Sequence, residues 1–234
     1  MIKAIAFDVD GTLYPNYQMY LCSLTSFISA PRLMYHFGKV RKEIRTLTYD
    51  GSLHDQQARL LSGRMNIPLE KAENLMERYL YRRWESSFRC IRPFSHVRET
   101  LLAIRRAGLK LGALSDFPIE NKLRFLGLDD LFDVAITSEA TGYLKPHHIP
   151  FLQLARRLET APEELLYVGN SHRYDVVGAS GVGMKTAWIT GRKKSENSAD
   201  FVFSSYKEFR RILFEGDRNP CIGGGMENIP LRSD

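Results

Sequence analysis

Apolar residues recur along this chain in two rhythms, and the change of rhythm divides it. Ile2 to Phe7 is a short apolar run with β-branched residues, too brief for a helix, and it reads as a buried strand. From about Tyr17 to Arg89 no strand-like alternation occurs. Leu21, Leu24, Phe27 and Ile28 recur at helical spacing, as do Leu75, Met76, Tyr79 and Leu80. Most of these side chains are expected to face a core, with the basic residues of the block turned outward. Pro31, Gly51 and Asn66-Ile67-Pro68 are the expected breaks. A helical insertion of about 75 residues directly after the first strand is too long for an ordinary connection.

Pro93 marks a second change. The pattern predicts a helix over Val97 to Arg106 ended by Gly108, a strand over Leu109 to Leu114, and a helix over Ile119 to Leu126 with Pro118 in its first turn. A strand at Val134 to Thr137, a helix at Pro150 to Leu158 and a strand at Leu165 to Val168 follow. Tyr174 to Ala179 starts another helix, Lys185 to Ile189 is a strand, Phe201 to Phe203 an edge strand and Tyr206 to Phe214 a last helix. Strands alternating with helices imply a parallel sheet covered on both faces, with ligands held at the carboxyl ends of the strands. From Gly216 the periodicity stops, so residues 216–234 are expected to be a flexible tail. Gly223 to Gly225 has neither the helix nor the lysine of a phosphate loop.

Composition narrows the class. With 234 residues, 44% hydrophobic and 26% charged, the chain is of ordinary globular type. No stretch approaches the ~20 apolar residues of a membrane span, and the N-terminus runs straight into a strand rather than a secretory signal. Cys22, Cys90 and Cys221 are widely spaced without a CxxC pair, which argues against a disulfide framework and a zinc site and for a reducing cytoplasm. The net charge of +6 is scattered over Arg41-Lys42, Arg82-Arg83, Arg105-Arg106 and Arg192-Lys193-Lys194. No nucleic-acid partner is expected from such a distribution, nor a membrane, although a positive field favours encounter with a phosphorylated small molecule.

The first strand ends in Asp8 and Asp10, followed by Gly11 and Thr12. Alternation along a strand points both carboxylates the same way, and like charges at a buried strand end call for a cation with a preference for hard oxygen ligands, such as Mg²⁺. The string Asp8-x-Asp10-Gly11-Thr12 after an apolar strand resembles the first motif of the haloacid dehalogenase superfamily. Ser115, at the end of the second predicted strand, matches the second motif, where relatives often continue with Asn and this chain has Asp116. The Asp116 carboxylate is expected to turn away from phosphate or to cap the helix beginning at Pro118. Lys145-Pro146 matches the third motif. Gly169-Asn170-Ser171-His172-Arg173-Tyr174-Asp175 matches the fourth, with Asn170 where the first acid usually stands. His172 reads as an exposed residue of the helix start. The other histidines, His147-His148 included, lack metal-ligand spacing.

The resemblance covers about residues 1 to 215 and implies a Rossmann-like α/β core, a parallel sheet with helices on both faces, carrying an inserted helical cap. Residues 1–14 and 91–215 would form the core, and 15–90 the cap. It implies a phosphatase in which Asp8 is the nucleophile that becomes an aspartyl phosphate and Asp10 the general acid and base, with Ser115 and Lys145 completing the catalytic set. Gly11, Thr12, Ser115, Asp116 and Lys145 would surround the phosphate. Asp8, Asp10, Asn170 and Asp175 would hold Mg²⁺, with one charge fewer than the usual set. The expected partner is a small phosphorylated metabolite, and the expected state a monomer or homodimer. A phosphomutase shares these motifs. A metabolite-binding or interaction protein that lost turnover with the change at Asn170 is the non-catalytic alternative. Asp10 counts against haloalkanoate dehalogenase chemistry, which needs no metal and lacks that residue.

Overall fold

In the computed structural model the described residues are 1–47, 49, 51–82, 88–191 and 199–215. Arg83, the basic run 192–194, Cys221 and the tail from 216, Gly223 to Gly225 among it, lie outside them. The described residues form a six-stranded parallel sheet with strand order β3-β2-β1-β4-β5-β6. The strands are β1 (Ala4–Asp8), β2 (Lys110–Ser115), β3 (Val134–Thr137), β4 (Leu165–Gly169), β5 (Lys185–Ile189) and β6 (Phe201–Phe203). β1 lies between β2 and β4, in register Ala6 with Gly112 and with Tyr167. The order of the strands reverses there, and a doubly wound sheet opens its crevice at such a point.

Alternation along β1 builds two cores. Ile5 and Phe7 enter one together with Val97, Leu101 and Ile104 of α6 (Val97–Arg106) and Tyr206, Phe209 and Leu213 of α10 (Tyr206–Phe214). Ala4 and Ala6 enter the other with Phe151 and Leu154 of α8 (His148–Arg157) and Ala179 of α9 (Val177–Ser180). Helices thus cover both faces, as the near-continuous apolar strands predict. Gly108 ends α6 as the sequence suggests. Its φ is +76°, and the N–H groups of Gly108 and Leu109 return to the carbonyls of Arg105 and Ile104, a Schellman turn.

Between β1 and α6 the chain forms the helices α1 (Asn16–Cys22), α2 (Leu24–Ser29), α3 (Pro31–Glu43), α4 (Leu53–Met65) and α5 (Leu69–Leu75). A wider-wound segment, Met76–Arg82, continues α5. This insert has its own core, in which Leu33, Phe37 and Val40 meet Ala58, Leu61, Ala72, Met76 and Leu80. Pro31 begins α3 rather than ending a helix, as its fixed φ permits. The chain leaves and re-enters the sheet domain at one place, where the Phe94 N–H donates to the Leu13 carbonyl at 2.9 Å.

Three expectations are corrected here. Leu21, Leu24 and Ile28 share helical spacing but are exposed, since among the described residues no element packs over that stripe. Cys22 and Cys90, 68 residues apart in sequence, are paired in a disulfide with their Cα atoms 6.5 Å apart. The spacing of three cysteines carries no sign of this, since the pairing depends on the end of α1 meeting the returning chain. Pro118 falls before α7 (Glu120–Leu126) rather than in its first turn, and the N-cap is Ile119 without a side-chain cap, so of the two placements expected for Asp116 the capping one is not taken. Among the described residues no helix is long and apolar enough to cross a membrane.

Candidate active site

Four segments meet at the carboxyl ends of β1, β2 and β4. β1 delivers Asp8, which is buried, and the tight turn Val9–Leu13 follows it, with the Leu13 N–H donating to the Val9 carbonyl at 3.0 Å. Gly11 takes φ +88° in that turn, and a Cβ there would lie 1.9 Å from Asn170 Nδ2. The turn therefore accepts only glycine. Gly11→Ala is expected to lose roughly 1–3 kcal/mol from backbone strain alone, with the clash against Asn170 in addition. Urea unfolding measures it, and a variant as stable as wild type would show that the turn relaxes freely.

Lys145 stands at the centre. Its Nζ lies 2.7 Å from Asp8 Oδ1 and 2.7 Å from Asp175 Oδ1, and 3.3 Å from the Tyr167 hydroxyl. Burial would lower the Lys145 pKa, but Asp175 and Asp8 more than offset this and hold the ammonium well above the usual lysine range. One ammonium shared by two buried carboxylates does not keep both fully ionised. Burial pushes the Asp8 carboxyl up, Lys145 pulls it down, and Asp175 and Asp10 push it up again, leaving it at about 7. Thr12 Oγ1 donates to the other Asp8 oxygen at 2.7 Å.

Asp10 has a cation of its own. Lys122 Nζ sits 2.8 and 2.7 Å from its two oxygens, Ser115 Oγ donates to Oδ2 at 3.0 Å, and Tyr14 donates to Oδ1. Burial raises the Asp10 pKa, yet Lys122 outweighs it and, with Tyr14 and Ser115, holds the carboxyl below the usual range. Two neighbouring acids are thereby separated in protonation, the arrangement that assigns different duties to paired carboxylates. Neither Lys122 nor Tyr14 belongs to the four motifs. Lys122 lies 112 residues from Asp10 and one turn into α7, where a lysine ordinarily faces solvent.

β4 ends in Gly169, and a Cβ at that position would stand 2.3 Å from the Asp175 side chain. After it the chain makes a wide helical turn, His172–Val176, in which both the Asp175 and Val176 N–H groups return to the Ser171 carbonyl. Such widened turns recur at functional sites. This one brings Asp175 back over the strand end, where its Oδ2 accepts the Ser171 N–H at 2.9 Å. The helix expected from Tyr174 begins regularly only at Val177. Asn170 Nδ2 donates to the Asp10 carbonyl at 3.2 Å, and its own carbonyl accepts from Trp188 Nε1 at 2.9 Å. His172 rests beside the Trp188 ring, centroids 5.2 Å apart.

Asp116 turns away from the strand-end acids. Its Oδ1 accepts from Ser138 Oγ and from the Lys145 N–H at 3.2 Å, and its Oδ2 from Arg45 Nη2 at 2.6 Å. Burial raises its pKa, but Arg45, Lys145 and Arg41 outweigh burial and hold it well below the usual carboxylate range.

The donor types suit a hard divalent cation, with the Asp8 and Asp175 carboxylates joined through Lys145, the Asn170 amide beside the Asp10 carbonyl, and an Asp8 carboxyl that burial leaves raised despite Lys145. Among the described residues, however, no three acidic, histidine or cysteine side chains converge on one point. Lys145 occupies the space between Asp8 and Asp175, and Lys122 spans Asp10.

Comparison with known proteins identifies the family. The family described as haloacid dehalogenase-like hydrolase matches residues 5–189. A pyrophosphatase of Bacillus cereus is 28% identical over 227 residues, covering 93% of this chain and 99% of the relative. A glyceraldehyde 3-phosphate phosphatase of Methanopyrus kandleri is 33% identical over 204 residues, covering 81% and 84%. Among solved structures, a haloacid dehalogenase-type phosphatase from Thermococcus onnurineus superposes with a TM-score of 0.64 at 29% identity, over 91% of this chain and 98% of the other. A 2-haloacid dehalogenase from Pseudomonas syringae, at 21% identity and a TM-score of 0.67 over 91% and 98%, shares the fold. Residues 5–189 carry the four motifs read from the sequence, and the chain belongs to the haloacid dehalogenase-like hydrolase family, an enzyme by its kinship to phosphatases.

Proposed function

We propose that the protein is a Mg²⁺-dependent phosphatase that hydrolyses a small phosphorylated metabolite through an aspartyl phosphate on Asp8. The observation that carries this reading is the Asp8–Lys145–Asp175 bridge at the strand ends, a buried carboxylate beside a fixed cation. The phosphatases among the relatives support it. In the first step an Asp8 oxygen attacks phosphorus and the bond to the leaving oxygen breaks, with Asp10 delivering the proton that oxygen needs. In the second, Asp10 takes a proton from water as the water oxygen attacks the aspartyl phosphate, restoring Asp8 and releasing phosphate. Asp10 rests as a carboxylate between Lys122, Tyr14 and Ser115, which suits the second step. The proton for the first comes to it from a phosphate group bound as its monoanion. Lys145 and Ser115 offset the charge of the phosphoryl oxygens, near the turn of Gly11 and Thr12.

Asp8, the Asp10 carbonyl, Asn170 and Asp175 would hold Mg²⁺, which when bound screens the nucleophile from the charge of the phosphate. The insert, residues 15–90, would act as a cap over the core of residues 1–14 and 91–215, excluding stray water and selecting the leaving group. We place the enzyme in the cytoplasm on the ground that phosphorylated metabolites are found there, the Cys22–Cys90 pair having removed the cysteine argument for a reducing compartment.

Screening purified protein against phosphorylated metabolites, with and without Mg²⁺, tests the reading as a whole. Asn170 gives a sharper prediction. Asn170→Asp adds a charge to the ligand set and should lower the Mg²⁺ concentration for half-maximal activity. In metal-free protein the same change sets a carboxylate against the Asp10 carbonyl where an amide N–H now donates, so stability there should fall. A Mg²⁺ titration unmoved by Asn170→Asp would put the ion elsewhere.

A further inference from the structure

We propose that Arg45 is a positioning residue for Lys145, so that the helical insert does more than cover the site and builds the segment that carries its lysine. Each residue from 142 to 145 meets the insert. The Tyr49 hydroxyl donates to the Gly142 carbonyl, and its ring lies 6.3 Å from that of Tyr143. Leu144 packs with Ile44 and Leu53, and Arg45 donates to the Lys145 carbonyl.

Arg45 follows α3, in the turn Ile44–Thr46, and its guanidinium touches three of the four motif segments. It donates to Asp116 Oδ2 at 2.6 Å and to the Lys145 carbonyl, and it lies over the Tyr174 ring, 4.3 Å from the centroid. Asp116 in turn accepts the Lys145 N–H. Arg45 and Asp116 therefore grip Lys145 from both sides of its backbone, while its side chain reaches Asp8. Arg41 braces the arrangement from one helical turn earlier, donating to the Asp116 carbonyl at 2.6 Å and to Glu139.

The pair also accounts for Asp116 standing where relatives often carry Asn. A largely buried guanidinium needs a charged partner, with side-chain exposures here of 13% for Arg45 and 14% for Asp116. Without Arg45, the Asp116 carboxylate would be buried beside Lys145 with no guanidinium on Oδ2. It would draw on the same ammonium that Asp8 and Asp175 share. Removing the Asp116 charge as well ends that competition. Breaking a buried pair is costly and deleting both members is far less so, which gives the inference a signature that a substrate-binding arginine would not share.

The inference rests on the phosphatase reading only for its kinetic readout, so the primary measurement is amide hydrogen exchange over residues 143–145. Arg45→Gln should speed that exchange about tenfold, and Arg45→Gln with Asp116→Asn should bring it back towards wild type. Arg45→Lys, which keeps the buried charge without the fork, guards against a simple folding defect and should retain most of the protection. With p-nitrophenyl phosphate and saturating Mg²⁺, kcat should follow the same order at nearly constant KM. Unchanged exchange in Arg45→Gln would overturn the proposal. So would no recovery in the double variant, a loss in Arg45→Lys as large as in Arg45→Gln, or a rise in KM alone. If exchange behaves as described while no protein, wild type included, releases phosphate from any substrate, the positioning role stands and the phosphatase reading fails.

Discussion

Asp8→Asn is expected to abolish phosphate release, with a loss on the order of 10⁴-fold or more in kcat, the scale seen when a covalent nucleophile is removed. The amide occupies the same volume but has no charge with which to attack phosphorus. The fold should survive, and in metal-free protein it should be more stable above neutral pH. The sign follows from the raised Asp8 pKa. The folded protein keeps the proton up to about 7, whereas the unfolded chain releases it near the ordinary carboxyl value of 3.8. Stability contributed by that proton is fully present below the unfolded value and is lost as pH rises through about 7. Asparagine has no proton to lose, so the advantage of Asp8→Asn should be plain at pH 8 and shrink towards pH 5. Thermal unfolding of both proteins in chelator across that range measures it. An Asp8→Asn enzyme turning over near the wild-type rate would remove Asp8 from the mechanism. A stability difference that grows towards acid would contradict the electrostatic account.

Lys145→Met should combine the second largest loss of activity with the largest loss of stability. Methionine matches the length of the lysine stem, so packing changes little, but the ammonium between Asp8 and Asp175 disappears. Breaking a buried ion pair by removing one partner costs roughly 3–5 kcal/mol, since the charge left behind has no partner. The cost should be smaller at low pH, where Asp8 takes up a proton and the two acids no longer repel. It should also shrink with added Mg²⁺ if a cation can stand in for part of the lost charge. Activity should fall on the order of 10²–10³-fold, the usual scale for one preorganised electrostatic group. Chemical denaturation at pH 5 and pH 8, with and without Mg²⁺, separates these contributions. A variant equally stable at both pH values would mean that Lys145 does not relieve the acids.

Much of the fold is written in the local pattern. β1, β2 and β4 are almost wholly buried, so each reads as a mainly apolar run, and the ends of β1 and β2 are marked by the polar residues Asp8 and Ser115. Asp8 and Ser115 can be picked out for the same reason, since a carboxylate or hydroxyl at the end of a buried strand stands out against what precedes it, and Asp175 by its place in the motif that follows β4. Lys122, Tyr14 and Arg45 cannot. Each is ordinary in its own helix or loop; Lys122 and Arg45 acquire their roles from partners far along the chain, such as Asp116, 71 positions from Arg45, and Tyr14 from the turn that folds it back on Asp10. The exposed stripe of Leu21, Leu24 and Ile28 shows the converse limit. Helical spacing says which residues share a face, but only the tertiary arrangement decides whether another element covers it. The departures from the family pattern at Asp116 and Asn170 were visible at once. The Arg45 partner that gives the first its physical reason was not.

The central claim is that phosphate passes through Asp8, and acid-quenched rapid mixing with a labelled phosphomonoester in the presence of Mg²⁺ tests it most directly. Label is expected on the peptide containing Asp8 within one turnover, lost again on the timescale of phosphate release, and absent from Asp8→Asn. Steady phosphate release with no label on protein, or with label on a peptide lacking Asp8, would contradict the account.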